Sequence, residues 1–223
     1  MSNAVLIIGE SGSGKSTAIR TLPPEETFII NVIGKNLPFK GANKRYTKIS
    51  ADGSTGNYYC SDNAANVRRV IQLINTKRTD IKYLVIDDCG YIIMNEFMRK
   101  CLEKGYDKYS LLGKEFSDLI SLVNEMRDDL FCFVMMHVES DQQGRTKPKT
   151  VGKMIDQYVC IEGKFAYVLH TIVFDNQYKF ITNNDGTHMA KTPLGLFNTQ
   201  TIDNDLMAIV NKINEYLNED IKD

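Results

Sequence analysis

Nine residues near the start of the chain, Gly9-Glu10-Ser11-Gly12-Ser13-Gly14-Lys15-Ser16-Thr17, carry the spacing G-x-x-x-x-G-K-[ST]. Each residue type in it has a chemical use. Glycines at 9, 12 and 14 let the backbone bend until successive amides point inward, at the oxygens of a polyphosphate. An ammonium at Lys15 neutralises β- and γ-phosphates, and a hydroxyl at Ser16 ligates Mg2+. A helix opening at Ser16 adds the positive end of its dipole. A glycine-rich turn without a ligand has the same composition, so context decides. The apolar run 4–8 precedes the motif and a helical stretch over 16–22 follows it, stopped by Pro23-Pro24. Strand, turn and helix in that order make this a P-loop, and its ligand is expected to be ATP with Mg2+.

A second constellation is Tyr83-Leu84-Val85-Ile86-Asp87-Asp88, an apolar strand ending in two acids. Open α/β sheets bind ligands beyond the carboxyl ends of their strands, so Asp87 is expected to hold the magnesium, through water. Asp88 either polarises an attacking water or caps the helix that follows. His137 ends another apolar run, where an imidazole either senses loss of the γ-phosphate or faces solvent. Arg145, Lys147, Lys149 and Lys153 share a polar stretch without an acid between them; they bind a DNA backbone, reach a neighbour's ATP, or form a solvated basic loop. Lys191, on a late turn, is either a finger that reaches a neighbouring subunit's phosphates or an ordinary surface lysine.

The elements that must position these residues follow from hydrophobic pattern. Continuous apolar runs at 4–8, 27–32, 83–86 and 130–136 predict strands covered on both faces, as in a parallel sheet. Helices are expected over 62–75, 90–104, 113–129 and 202–218. An edge-like strand is expected over 45–49, a mobile loop over 139–154, and strands over 158–161, 165–174 and 178–182 with turn residues between. The fold class is therefore α/β: one doubly wound domain spanning 1–223, with a largely parallel sheet, helices on both faces and an antiparallel β extension.

Composition narrows the possibilities. A net charge of −1 leaves no overall attraction for nucleic acid, so any binding must come from a local patch. Five cysteines without a Cys-x-x-Cys pair fit a reducing compartment and no zinc site. The opening residues lack a basic leader, and no apolar run reaches membrane-spanning length. A cytoplasmic protein with no membrane partner is expected.

Together with the P-loop, Val85-Ile86-Asp87-Asp88, His137, Lys147-Pro148-Lys149-Thr150-Val151-Gly152-Lys153 and Ala190-Lys191-Thr192-Pro193-Leu194-Gly195-Leu196-Phe197 suggest a family. The chain resembles phage-encoded P-loop proteins with a minimal RecA-like core, the AAA-type ATPases that include single-strand annealing recombinases of the Sak class. The resemblance implies an ATPase acting on single-stranded DNA in phage recombination or replication, in the host cytoplasm. It also implies assembly into a homo-oligomeric ring or filament, work alongside a single-strand DNA-binding protein, and a DNA-facing loop over 139–154. One feature departs from it: RecA-like enzymes usually carry a glutamate beyond the strand after the P-loop helix, whereas Ile33-Gly34-Lys35-Asn36 offers no carboxylate. Either Asp88 does that work or hydrolysis is slow. Two other classes remain open from the residues, a P-loop nucleotide kinase and a non-hydrolysing, ATP-gated assembly module.

Overall fold

In the computed structural model, which describes residues 3–105, 107–151 and 159–219, the apolar runs become the centre of one sheet. Strands β1 (Asn3–Gly9), β2 (Thr27–Asn31), β4 (Tyr83–Asp87) and β5 (Phe131–Ser140) are parallel, joined on β2's free edge by the short β3 (Tyr58–Cys60). Beyond β1 come β7 (Tyr167–Phe174), β8 (Gln177–Ile181) and β9 (Thr201–Asp203), giving the order β3-β2-β4-β5-β1-β7-β8-β9. β7 is parallel to β1, whereas β8 and β9 are antiparallel additions. β6 (Thr146–Pro148) pairs with the end of β5.

Continuous apolar strands arise because both faces of this sheet are covered. Leu6, Ile8, Leu84, Ile86, Cys132 and Val134 point to one core, packed by α2 (Ala64–Lys77), α3 (Gly90–Lys100) and α4 (Asp107–Asn124). Their alternating neighbours Val5, Ile7, Val85, Phe133 and Met135 point to the other. There they meet Ala18 and Ile19 of the 3-10 turn Ser16–Thr21 and the apolar face of the last helix, α5 (Leu206–Asn218). A buried Phe116 or Ile213 is worth about 1.5–3 kcal/mol of apolar burial, so the two helical layers hold the sheet from both sides. A short helix, α1 (Ala42–Arg45), follows β2 in the chain.

Several expected boundaries move. Residues 45–49 do not form the third strand: β2's edge is taken by Tyr58–Cys60, leaving 45–49 the end of α1 and one Lys48–Tyr58 bridge. α4 begins at Asp107 rather than 113, because Gly113 is a buried interior position of the helix and not its start. α3 stops at Lys100, short of 104. Of the expected strand 158–161, Tyr158 lies outside the described residues, and Val159 to Ile161 run irregularly into a 3-10 turn. The last helix starts at Leu206, since Thr201–Asp203 joins the sheet, and Asp205 caps it by accepting from the Ala208 amide. The expected loop over 139–154 opens as a hairpin instead, with Glu139 and Ser140 in β5 and Thr146–Pro148 in β6.

Candidate active site

Parallel strands bring their carboxyl ends to one edge, and the chemistry-bearing residues collect there. Gly9 ends β1, pairing with His137 on β5 and Thr171 on β7. Asp87 ends β4, pairing with Asn31 at the end of β2. The cleft over these ends is lined by the P-loop from Ser11 to Thr17 (Ser13 excepted), by Asp87, Asp88 and His137, and by Lys35 and Tyr178.

Close packing explains two of the glycines. A Cβ on Gly9 would lie 2.1 Å from Thr171 Oγ1, and one on Gly14 would lie 2.7 Å from the Tyr178 ring. Gly14 also has φ of 103°, a conformation that side chains resist. The turn is braced from outside the motif. Ser13 Oγ donates to Glu10 O at 2.7 Å and lies 2.5 Å from Thr171 Oγ1. Asn204, buried between β9 and α5, donates to Gly14 O and accepts from Arg20. Thr171, Tyr178, Asn204 and Lys35 were not expected as site residues. Nothing local in the sequence marks the first three, because they reach the P-loop from more than 150 residues away.

Lys15 is buried, and its ammonium donates to Gly9 O and Glu10 O, both at 2.7 Å. Burial lowers its pKa to about 8, against the opposing pull of Asp88 and Asp87. A buried ammonium satisfied only by carbonyls in a glycine-rich turn is suited to a more strongly anionic partner. Ser16 Oγ donates to Asp87 Oδ1 at 2.8 Å. Burial, then the charge of Asp88, pushes Asp87 up to about 6, with the Ser16 hydrogen bond partly offsetting them. One hydroxyl and one carboxylate in contact are a fitting donor pair for Mg2+, which takes one or two carboxylates and completes its shell with phosphate and water. Among the described residues no group of three or more His, Cys, Asp or Glu side chains could hold a metal.

Asp88 has φ of 60°, an uncommon left-handed conformation for a residue other than glycine. Its side chain does not cap α3, whose first residue follows Cys89. Instead Oδ1 lies 3.1 Å from His137 Nε2 and Oδ2 lies 2.7 Å from Lys35 Nζ. Burial raises the Asp88 pKa, but these contacts outweigh it and hold the carboxyl below its ordinary value. His137 is thus tied to Asp88 and only partly exposed, and Tyr91 stands edge-on to it at 5.8 Å. Glu10 is exposed and is not among the residues that line the cleft.

The remaining expected residues lie away from this group. Arg145 pairs with Asp141 at 2.8 Å and Lys147 with Glu139 at 3.0 Å, so the basic stretch is partly neutralised across the β5–β6 hairpin by acids that precede it. Lys149 is exposed, and its amide donates to His137 O at 2.7 Å. Lys153 lies outside the described residues. Lys191 bridges to Val168, three residues before Thr171 and so about 10 Å down β7 from the P-loop. Its side chain is exposed and does not line the cleft of its own chain.

No helix among the described residues is long and apolar enough to cross a membrane. No curated protein matches the chain. A family model described as an AAA domain matches residues 1–194, which takes in every strand from β1 to β8 and the whole cleft. With its mostly parallel nine-stranded sheet, its P-loop at the end of β1 and that match, the chain belongs to the AAA domain family of P-loop nucleoside triphosphatases, proteins that bind nucleotide and act as ATPases.

Proposed function

We propose that this chain is a Mg2+-dependent ATPase whose hydrolytic cycle serves single-stranded DNA. The observation that carries the first part is the meeting of Lys15, Ser16, Asp87, Asp88 and His137 in one cleft at the ends of β1, β4 and β5. In this reading the amides of residues 9–17 and the Lys15 ammonium hold the triphosphate. Ser16 and Asp87 would hold Mg2+, which would supply neutralisation of the phosphate charge. Asp88 orients the attacking water and takes its proton as the bond from γ-phosphorus to ADP breaks. His137, already tied to Asp88, is the group that registers loss of the γ-phosphate.

The second part rests on the connection between His137 and the basic hairpin. β5 carries His137 and runs directly into that hairpin, and the chain then returns to bond Lys149 N to His137 O. A cation-bearing segment fastened to a residue of the nucleotide cleft is a route by which a phosphate backbone and ATP can influence each other. The resemblance to Sak-class phage recombinases favours the same substrate, a homo-oligomeric ring or filament with Lys191 reaching a neighbour's nucleotide, and a single-strand DNA-binding partner.

The test is ATP turnover with and without single-stranded DNA, with assembly state followed in the same samples. Turnover stimulated by DNA together with growth in particle size is the expected result. Phosphate transfer to a nucleoside monophosphate would make the chain a kinase. Binding without turnover, even with DNA present, would make it an ATP-gated module.

A further inference from the structure

Lys35 lies just beyond β2, and its position is built rather than incidental. The Asn31 side chain, buried at the strand's last residue, accepts from Gly34 N at 2.8 Å and donates to Lys35 O at 2.7 Å. That clasp folds residues 31–35 into a tight turn, with Gly34 at φ of 74°, and delivers Lys35 to the lip of the cleft. Val32 N donates to Asp87 O at 3.1 Å, which ties the same turn to the strand bearing the acids.

The ammonium then reaches back over the cleft to Asp88 Oδ2 at 2.7 Å. The Asp88 side chain is 3% exposed and that of Lys35 is 59% exposed, so one partner is fixed and the other is held only at its tip. Oδ2 is fully buried, and the Lys35 ammonium at 2.7 Å is the cation that faces it. Lys35 also lines a second hollow, shared with Tyr46, Lys48 and Tyr58. Two lysines therefore share the cleft. Lys15 is locked to backbone carbonyls at its floor, and Lys35 is parked on a carboxylate at its lip.

We propose that Lys35 makes the cleft bind a nucleoside triphosphate more tightly than a diphosphate, a role in affinity separate from the sensing assigned to His137. Paired with it at 2.7 Å, Asp88 neutralises Lys35; a γ-phosphate, carrying more negative charge than one carboxylate, draws the ammonium away. Binding a triphosphate thereby frees Asp88 Oδ2, one oxygen of the carboxylate that the ATPase reading assigns to receive a proton. A diphosphate, gripped by the P-loop alone, leaves the Lys35–Asp88 pair closed. The inference rests on the nucleotide-binding reading of the cleft, and it assigns Lys35 a role in specificity rather than in gripping the β-phosphate.

Equilibrium binding of ADP and of the non-hydrolysable β,γ-imido analogue of ATP, each with Mg2+, tests this without any turnover. Wild-type protein is expected to prefer the triphosphate analogue by about tenfold, the scale of one charge-assisted contact. Lys35→Met should bring the two affinities to within about twofold by weakening the analogue alone, and Lys35→Arg should restore the preference. Equal wild-type affinities, a preference that survives in Lys35→Met, or a Lys35→Met protein that loses ADP as well would each overturn the assignment. Lys15→Ala separates the two levels. If it still binds ADP, the nucleotide reading falls and this inference falls with it. If it loses ADP while Lys35→Met keeps the wild-type ratio, only the role of Lys35 is wrong.

Discussion

Ser16 Oγ and Asp87 Oδ1, 71 positions apart in the chain, are joined by a 2.8 Å hydrogen bond at the floor of the cleft. The bond holds together the two oxygens proposed to share Mg2+, and it does so at a cost. Asp87 is buried next to Asp88, and its folded pKa stands at about 6 against an ordinary 3.8. The folded state thus binds the Asp87 proton more tightly than the unfolded chain does. Stability from this group is present at acid pH and is lost as pH rises through that interval, on the order of 3 kcal/mol by neutrality. Asp87→Asn keeps the shape and an acceptor for Ser16 but removes the buried charge. The variant without nucleotide should melt several degrees above wild type at neutral pH and lose that advantage under acid conditions, while Mg2+-dependent turnover falls by about 100-fold or more. Thermal melts across pH, paired with ATPase assays, check both halves; a lower neutral melting point would contradict the account of Asp87.

Gly14 and Tyr178 meet across the P-loop wall, and their coupling can be measured. Gly14→Ala places a methyl 2.7 Å from the Tyr178 ring at a φ of 103°. The strain should cost about 1–3 kcal/mol and weaken nucleotide binding. Tyr178→Ala removes the collision but not the backbone strain, so the double variant should recover part of the loss. A double-mutant cycle in thermal or denaturant unfolding reads the coupling; strict additivity would mean that ring and glycine do not press on each other.

His170 offers a pH readout away from the cleft. It is buried on β7, 3.4 Å from Thr146 Oγ1 and edge-on to His188. Burial, and next the neighbouring His188, lowers its pKa to about 4 from an ordinary 6.5. Between those values the unfolded chain binds the proton and the folded one does not. Its contribution is therefore complete above 6.5 and is lost as pH falls toward 4, by at most about 3 kcal/mol. His170→Gln should flatten the acid limb of the stability curve, whatever it does to stability at neutral pH. An acid limb as steep as that of wild type would assign the acid sensitivity to other groups.

The hairpin pairs Arg145–Asp141 and Lys147–Glu139 lead to a prediction about DNA with an unusual sign. If this face meets a phosphate backbone, the acids compete with it. Glu139→Gln and Asp141→Asn should then tighten single-stranded DNA binding and steepen its salt dependence. Lys147→Ala with Lys149→Ala should weaken binding and reduce the slope by about 0.7 for each lost phosphate contact. Titrations at several salt concentrations check this, and affinities indifferent to all four changes would leave the hairpin ordinary surface.

Much of the fold was legible because parallel sheets write themselves as uninterrupted apolar runs. Residues 4–8, 27–32, 83–86 and 130–136 lie within a residue or two of strands buried on both faces, apart from the longer tail of β5. Short edge pairings were not legible. Tyr58–Cys60 and Thr201–Asp203 have three residues each, too few for a pattern, and which segment wins a free edge depends on its competitors.

What the sequence by itself determined was the phosphate-binding turn and the acid-terminated strand, since both are local: a spacing of glycines with one lysine, and an apolar run with a carboxylate at its end. Only the tertiary structure decided the company those residues keep. Asp88's partners come from β5 and from the turn after β2, and the P-loop's wall comes from Thr171, Tyr178 and Asn204. Contacts of that kind are set by strand order and register, which bring the carboxyl ends of distant strands to one edge, and no stretch of sequence spells them out.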